Sequence, residues 1–385
     1  MIRLSEEQRE RALRLHQESF VFDYIPPGEP IVMTPATERV MQEALRAGEP
    51  APAVQDRMRE ARLEELARDP AVREMMREVW RRSGVNCVSA TLGGLDHRLD
   101  PLERLWRDLG RWQRRFQVAD DMVLCTTAGK VEEAWRAGRV GVILNLQNTD
   151  VIGQDLDRIR TLYNYGVRII QLTYNTRNLV GDGCTERNPS GLSLFGVSVV
   201  RELNRQGIVV DLSHCSEPTA WDAIELSESP PCFTHAFCKA LSDHDRGKTD
   251  EQLKAVAERG GYLGILAVPF FLSRDPAAGL EALLDHINHA VEIMGVDKVG
   301  IGTDWGGWTR DVPEPLREGL RRAFYAMGFR DEHGLQFGAA LGEFVDYTDW
   351  PHITCGLVAR GYSDDEIRGI LGRNFLNYFR RVVGA

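Results

Sequence analysis

The sequence predicts an α/β protein: a (β/α)8 TIM-type barrel with an N-terminal helical insertion and C-terminal helices. Three observations carry this. Eight short apolar segments recur along the 385 residues, at Phe20–Asp23, Val85–Ala90, Val140–Leu146, Val167–Tyr174, Ile208–His214, Pro231–His235, Tyr262–Val268 and Val299–Asp304. Most are continuous Val, Ile and Leu runs without polar alternation, the pattern of parallel strands covered on both faces. Helix-length stretches separate them, and eightfold strand–helix alternation is what a closed parallel barrel requires.

The helices are expected at Arg98–Gln117, Lys130–Ala137, Asp155–Asn164, Val197–Gln206, Glu217–Leu226, Thr249–Glu258 and Leu280–Met294. Asp150 or Asp155 can cap the third, which stops at Gly166. Pro218 sits in the first turn of the fifth. Two regions fall outside the repeat of this single domain. Pro35–Arg82 reads as two or three added helices, with an apolar stripe at Val54, Met58 and Ala61. Gly306–Trp350 is a Gly- and aromatic-rich excursion after the eighth strand, with a helix around Leu316–Met327. Loops after barrel strands build active sites, so it is a candidate lid or pocket wall. The tail, Ile353–Val383, reads as two helices split near Gly372-Arg373-Asn374.

A net charge of −10, with basic and acidic residues interleaved, argues against nucleic acid or an anionic membrane as partner. Met1–Phe20 has no apolar signal core, and no run of apolar residues is long enough to span a bilayer. The expectation is a cytoplasmic protein acting on a small molecule. Seven scattered cysteines suit reduced thiols. Cys232, His235 and Cys238 have metal-ligand spacing, but strand alternation turns Cys232 away from His235, and the two thiols read as packing residues.

Three of the last four strand-like runs end in residues able to hold a metal: His214, His235 and Asp304. In a barrel these ends converge on one rim, beside Asp23-Tyr24, Gln147-Asn148 and Tyr174-Asn175. A catalytic metal needs two or three fixed ligands and an open position. His214 and His235 are the primary candidates, with a third ligand from Asp304, Gln147 or Tyr24. Asp304 can instead take a proton from the attacking water. Asp211 suits an outer, orienting acid. Arg246, in the charged segment Asp243–Lys248, suits a two-pronged grip on a carboxylate. Trp305, Trp308 and Trp350 are expected to line the pocket. Gly181-Asp182-Gly183 reads as a tight turn with unusual dihedrals, and Cys184 beside it is a weak candidate nucleophile.

These residues resemble the membrane (renal) dipeptidase family of metallopeptidases. The likeness runs from about Phe20 to Phe379. It rests on Gly166-Val167-Arg168 with Gln171-Leu172-Thr173, on Val210–His214, on Thr234-His235 and Arg246, on Gly300–Asp304, and on Gly361-Tyr362-Ser363 with Gly372–Phe375. The spacings of 21 residues from His214 to His235, and 11 from His235 to Arg246, suit that pattern. The resemblance implies a barrel hydrolase of dipeptides, commonly a homodimer, with two zinc ions bridged by a carboxylate. By it, His214 and His235 hold the second metal, Asp304 is the acid near the first, and Arg246 binds the substrate carboxylate.

The chain departs from the pattern in three places. The family's first strand ends Asp-x-His-x-Asp; here Ile25 and Pro27 replace the His and the second Asp. Gln147 stands where the bridging Glu belongs, and Tyr174 where a substrate-contacting His belongs. A neutral amide cannot balance two cations. The reading is therefore a metal-dependent hydrolase of a small carboxylate-bearing or dipeptide-like amide with one divalent ion, zinc by resemblance. Tyr174 or Gln147 would hydrogen-bond the substrate's developing oxyanion. A metal-assisted lyase or decarboxylase on the same barrel, and a non-catalytic descendant, are the alternatives.

Overall fold

The structure, a computed structural model, describes residues 2–25, 28–93, 99–275, 277–306 and 312–385. Eight parallel strands follow one another around a barrel: β1 (Phe22–Ile25), β2 (Cys87–Leu92), then, past the short β3 (Met122–Leu124), β4 (Val140–Leu146), β5 (Val167–Gln171), β6 (Val209–Asp211), β7 (Cys232–Ala236), β8 (Tyr262–Ile265) and β9 (Val299–Ile301). All seven residues of β4 are buried, as expected of a strand with no solvent face. The strand β3 was not anticipated. It adds to β4 beside the barrel path and is too short to carry a periodic signal.

The seam between β9 and β1 is closed partly by a side chain. The Asp304 N–H donates to the Tyr24 carbonyl at 2.9 Å. The Asp23 carboxylate accepts from the Thr303 N–H (2.7 Å), the Thr303 hydroxyl (2.8 Å) and the Tyr347 hydroxyl (2.9 Å). Burial nevertheless raises the Asp23 carboxyl to about 6.

The expected helices appear, two of them, Glu217–Leu226 and Leu280–Met294, with the expected ends. Asp155, and not Asp150, meets the start of the helix before Gly166, accepting from the Asp157 N–H at 3.0 Å. The N-terminal stretch, rich in Arg and Glu, forms α1 (Glu6–Glu18), whose Ala12 and Leu15 enter the main core. The insertion is three helices: α2 (Pro35–Arg46), α3 (Ala51–Arg68) and α4 (Pro70–Ser83). Val54 and Met58 are buried as expected; Leu63 and Leu66, rather than Ala61, continue the stripe.

The excursion contains a helix at Glu314–Ala326. Its Leu316 and Leu320, with Val312, join Met41, Ala44, Ala51, Val54 and Met58 in a separate small core. Insertion and excursion thus pack on each other.

The tail breaks into more pieces than two: Trp350–Ala359, Asp364–Arg368, a wide turn at Gly369–Arg373, and Asn374–Val383. Gly372 is needed for space, since a Cβ there would lie 2.6 Å from the Phe20 carbonyl oxygen. Beyond it, Phe375 stacks on Phe22 at 3.5 Å between centroids. Phe375, Tyr378 and Phe379 form a second core with Cys87, Cys232 and Tyr262 from the starts of their strands. The tail therefore plugs the N-terminal end of the barrel and leaves the C-terminal rim for the site. No described helix is long and apolar enough to cross a membrane.

Candidate functional site

At the C-terminal rim, His214 follows β6 and His235 lies within β7, and their Nε2 atoms are 3.1 Å apart. The opposite nitrogen of each ring has a fixed partner. His214 Nδ1 lies 2.7 Å from Asn175 Oδ1. Asn175 follows β5 and is fully buried, and its Oδ1 also accepts from the Cys184 thiol at 3.4 Å. His235 Nδ1 lies 2.7 Å from the Thr234 hydroxyl, which donates to Asp211 Oδ2 at 2.5 Å. That hydroxyl is left to accept from the imidazole. Both rings are therefore protonated on Nδ1, and both Nε2 lone pairs point into the same space. Asp211 holds this arrangement from behind, also accepting from the Ser213 hydroxyl at 2.6 Å.

Each imidazole is held flat by a tyrosine. Tyr24 stacks on His235 and Tyr174 on His214, each with centroids 4.2 Å apart. The Tyr24 hydroxyl donates to Asn145 Oδ1 at 2.7 Å. Burial, reinforced by Arg246, keeps both imidazoles neutral, with basicity well below the ordinary histidine value.

Arg246 is fully buried beside the pair. Its Nη1 donates to the Ser213 carbonyl (2.7 Å), and its Nη2 lies 2.9 Å from both the His235 carbonyl oxygen and His214 Nε2. Only its Nε lacks a partner. Lys248 is buried too, donating to the Cys215 carbonyl at 2.9 Å, and its ammonium is pulled down to about 8, chiefly by burial. The segment Asp243–Lys248 has the charge density of a solvated loop, so sequence reasoning missed Lys248. In the fold it turns His244, Arg246 and Lys248 inward.

A cavity of about 400 Å³ opens over this centre, and Gln147, Tyr174, His214, Asp304 and Trp305 are among its lining. His235 and Arg246 lie behind that surface. Gln147 Nε2 is 3.4 Å from His235 Nε2. Asp304 has φ of 54°, the one positive value outside glycine among the described residues. Left-handed backbone at a non-glycine residue concentrates where function fixes a side chain. The Asp304 carboxyl is raised to about 7, first by burial; Arg246 opposes this, while Asp23 and Asp211 add to it.

Other candidates fall outside the centre. Cys184 is buried and its thiol is pushed up to about 11, the wrong direction for a nucleophile. The adjacent Gly183 serves close approach and not an unusual dihedral: a Cβ there would lie 2.1 Å from the Tyr174 carbonyl oxygen. Cys232 and Cys238 sit in two different cores. Trp350, expected at the pocket, is fully buried against Phe344. Trp308 and Pro27 lie outside the described residues.

The donor set decides what metal fits. Among the described residues, no three His, Cys, Asp or Glu side chains gather into a metal-binding cluster. Gln147, at the position of the expected bridging carboxylate, is a neutral amide. One divalent ion does fit, because two lone pairs 3.1 Å apart with no proton between them match the bite of two nitrogens on a tetrahedral ion. The neighbouring Gln147 amide, whose oxygen and nitrogen exchange by a flip, is the third donor in reach.

A family model described as membrane dipeptidase (peptidase family M19) matches residues 101–318. Among curated proteins, dipeptidase verJ of Clonostachys rogersoniana is 29% identical over 270 residues, 69% of this chain and 61% of that protein. Dipeptidase tcpJ of Claviceps purpurea is 28% identical over 267 residues, 69% of this chain and 56% of that protein. The match thus spans about three fifths of these curated relatives. An amidohydrolase from Pseudomonas aeruginosa shares the fold, with a TM-score of 0.74 and 24% identity over 97% of this chain and 99% of that one.

Proposed function

This chain belongs to the membrane dipeptidase family, and from that premise we propose that it hydrolyses the C–N bond of a small carboxylate-bearing or dipeptide-like amide, using one divalent ion. The observation that carries the proposal is the convergence of the His214 and His235 lone pairs, 3.1 Å apart, with His214 on the wall of a cavity. His214 and His235 would hold the ion, zinc by kinship, with Gln147 beside them. When bound, it would supply a Lewis acid for the negative charge that develops on the substrate carbonyl.

The remaining steps belong to the chain's own residues. Asp304, whose carboxyl burial raises, takes a proton from the attacking water and returns it to the departing amine. Tyr174 and Gln147 face the same space and supply hydrogen bonds to the carbonyl oxygen. Arg246 and Lys248 lie behind the rim as buried cations and draw the substrate carboxylate to this site. For Arg246 to grip that carboxylate directly, its Nη2 must leave His214. The proposal places the protein in the cytoplasm as a homodimer, with a small molecule as partner. All seven cysteines are free thiols, in keeping with a reducing compartment.

One observation favours a second, non-catalytic reading. Arg246 Nη2 and the Gln147 amide already meet the two histidine lone pairs without an ion. Product analysis separates the readings. The protein is incubated with dipeptides and N-acyl amino acids and the products are identified by mass. Hydrolysis adds one water and frees an amine, as expected; release of carbon dioxide points to a decarboxylase, and no turnover points to the non-catalytic protein.

A further inference from the structure

The cavity is larger and more apolar than a minimal dipeptide requires. At ~25–30 Å³ per packed group, 400 Å³ has room for roughly 15 such groups, against about ten heavy atoms in a two-residue substrate with small side chains. His214, Tyr174, Gln147 and Asp304 contribute polar groups to its wall beside the histidine pair. Most of the exposed lining is hydrocarbon and aromatic ring, including Met58 and Leu63 from α3, Phe270 and Phe271 after β8, and Phe324 and Phe337 from the excursion.

Apart from Phe270 and Phe271, these walls come from the two segments added to the barrel, and the segments are fixed to each other by their shared small core. The apolar arm is therefore a built space. The lining also carries arginines, and acids lie beside them. Arg111 pairs with Asp56, Glu60 and Asp108, Arg115 with Glu29 and Asp121, Arg59 with Asp56 and Asp108, and Arg62 with Glu65.

Resting on the hydrolase reading above, we infer that the substrate is an N-acyl amino acid with a large apolar acyl group. The amino-acid carboxylate stays beside the histidine pair, over the buried Arg246 and Lys248, and the acyl chain or ring fills the apolar arm. Hydrolysis would cleave the amide C–N bond, with water supplying hydroxyl to the acyl carbon and hydrogen to the released amino acid. Rejection of short acyl groups then follows from burial. Each methylene moved from water into such walls contributes about fourfold in kcat/KM.

The test is a series of N-acylglycines, acetyl, butanoyl, hexanoyl and octanoyl, assayed beside glycyl dipeptides. We expect kcat/KM to rise through the series, by at least ~50-fold from acetyl to octanoyl. A flat or falling series with hydrolysis retained overturns this inference and leaves the hydrolase reading standing. If nothing in the panel is cleaved, that reading falls, and calorimetric binding decides the cavity: octanoylglycine at least tenfold tighter than acetylglycine supports it, and equal affinities overturn it. Ala339, on the cavity wall, gives a second check. Ala339→Trp partly fills the arm and should narrow the gap between octanoyl and acetyl; an unchanged gap would place the chain elsewhere and overturn the inference.

Discussion

Replacing His214 by alanine is expected to lower kcat/KM by ~10³-fold or more and to release the bound ion. The substitution removes one of only two imidazole donors, so no cluster of protein ligands remains. It also strips partners from both sides of the ring. Asn175 Oδ1 loses the Nδ1 hydrogen bond of 2.7 Å, and Arg246 Nη2 loses its contact of 2.9 Å. A stability cost of ~1–3 kcal/mol is expected from these buried polar groups. Urea unfolding beside steady-state kinetics separates the two effects. Cys184→Ala is the control: it touches the same Asn175 oxygen but should leave most activity in place. If the His214 variant folds and retains activity near that of the parent, the assignment of the site is wrong.

Asp304→Asn should separate activity from stability. A fall of ~10²–10⁴ in kcat is expected where a proton-transferring group is lost. The fold should not suffer. Asn tolerates left-handed backbone well, so φ of 54° remains comfortable. The change also removes a carboxylate that burial has raised from 3.8 to about 7. The sign of the linkage follows. Between these values the folded state binds more protons than the unfolded chain, so the stabilising contribution is full below about 4 and is lost as pH rises through 7. Parent stability should therefore fall over this range, less so in Asp304→Asn, as read by urea midpoints. Activity should run the other way: Asp304 acts as a base, so the parent rate climbs with pH as that carboxyl ionises, and the variant should lose that limb.

Strand ends were the legible part of this site. A run of buried Val and Ile must deliver its last side chain to the barrel rim, which is why His214, His235 and Asp304 stood out as a set. The eight barrel strands were legible for the same reason, whereas β3 has only three residues and no pattern to read. Distances were not legible. Sequence order says nothing of how Asn175 and the Asp211–Thr234 pair turn both Nε2 atoms toward one point. Arg246 was visible as a cation after β7, but a loop that reads Asp-His-Asp-Arg-Gly-Lys looks solvated. Its burial, and the contact of its guanidinium with His214 instead of open cavity, depend on carbonyls supplied by Ser213 and His235. The insertion announced itself by its stripe at Val54 and Met58, yet its partner in the Val312–Leu320 region is more than two hundred residues away and left no local trace.

The central claim is that two imidazoles grip a single cation in a site with no bridge for a second. Protein purified without added metal should be analysed for metal content by mass spectrometry, with anomalous scattering to locate what is bound. One equivalent between His214 and His235, lost in His214→Ala and in His235→Ala, is the predicted result. Two ions in the pocket, or none in protein that still turns over substrate, would contradict it.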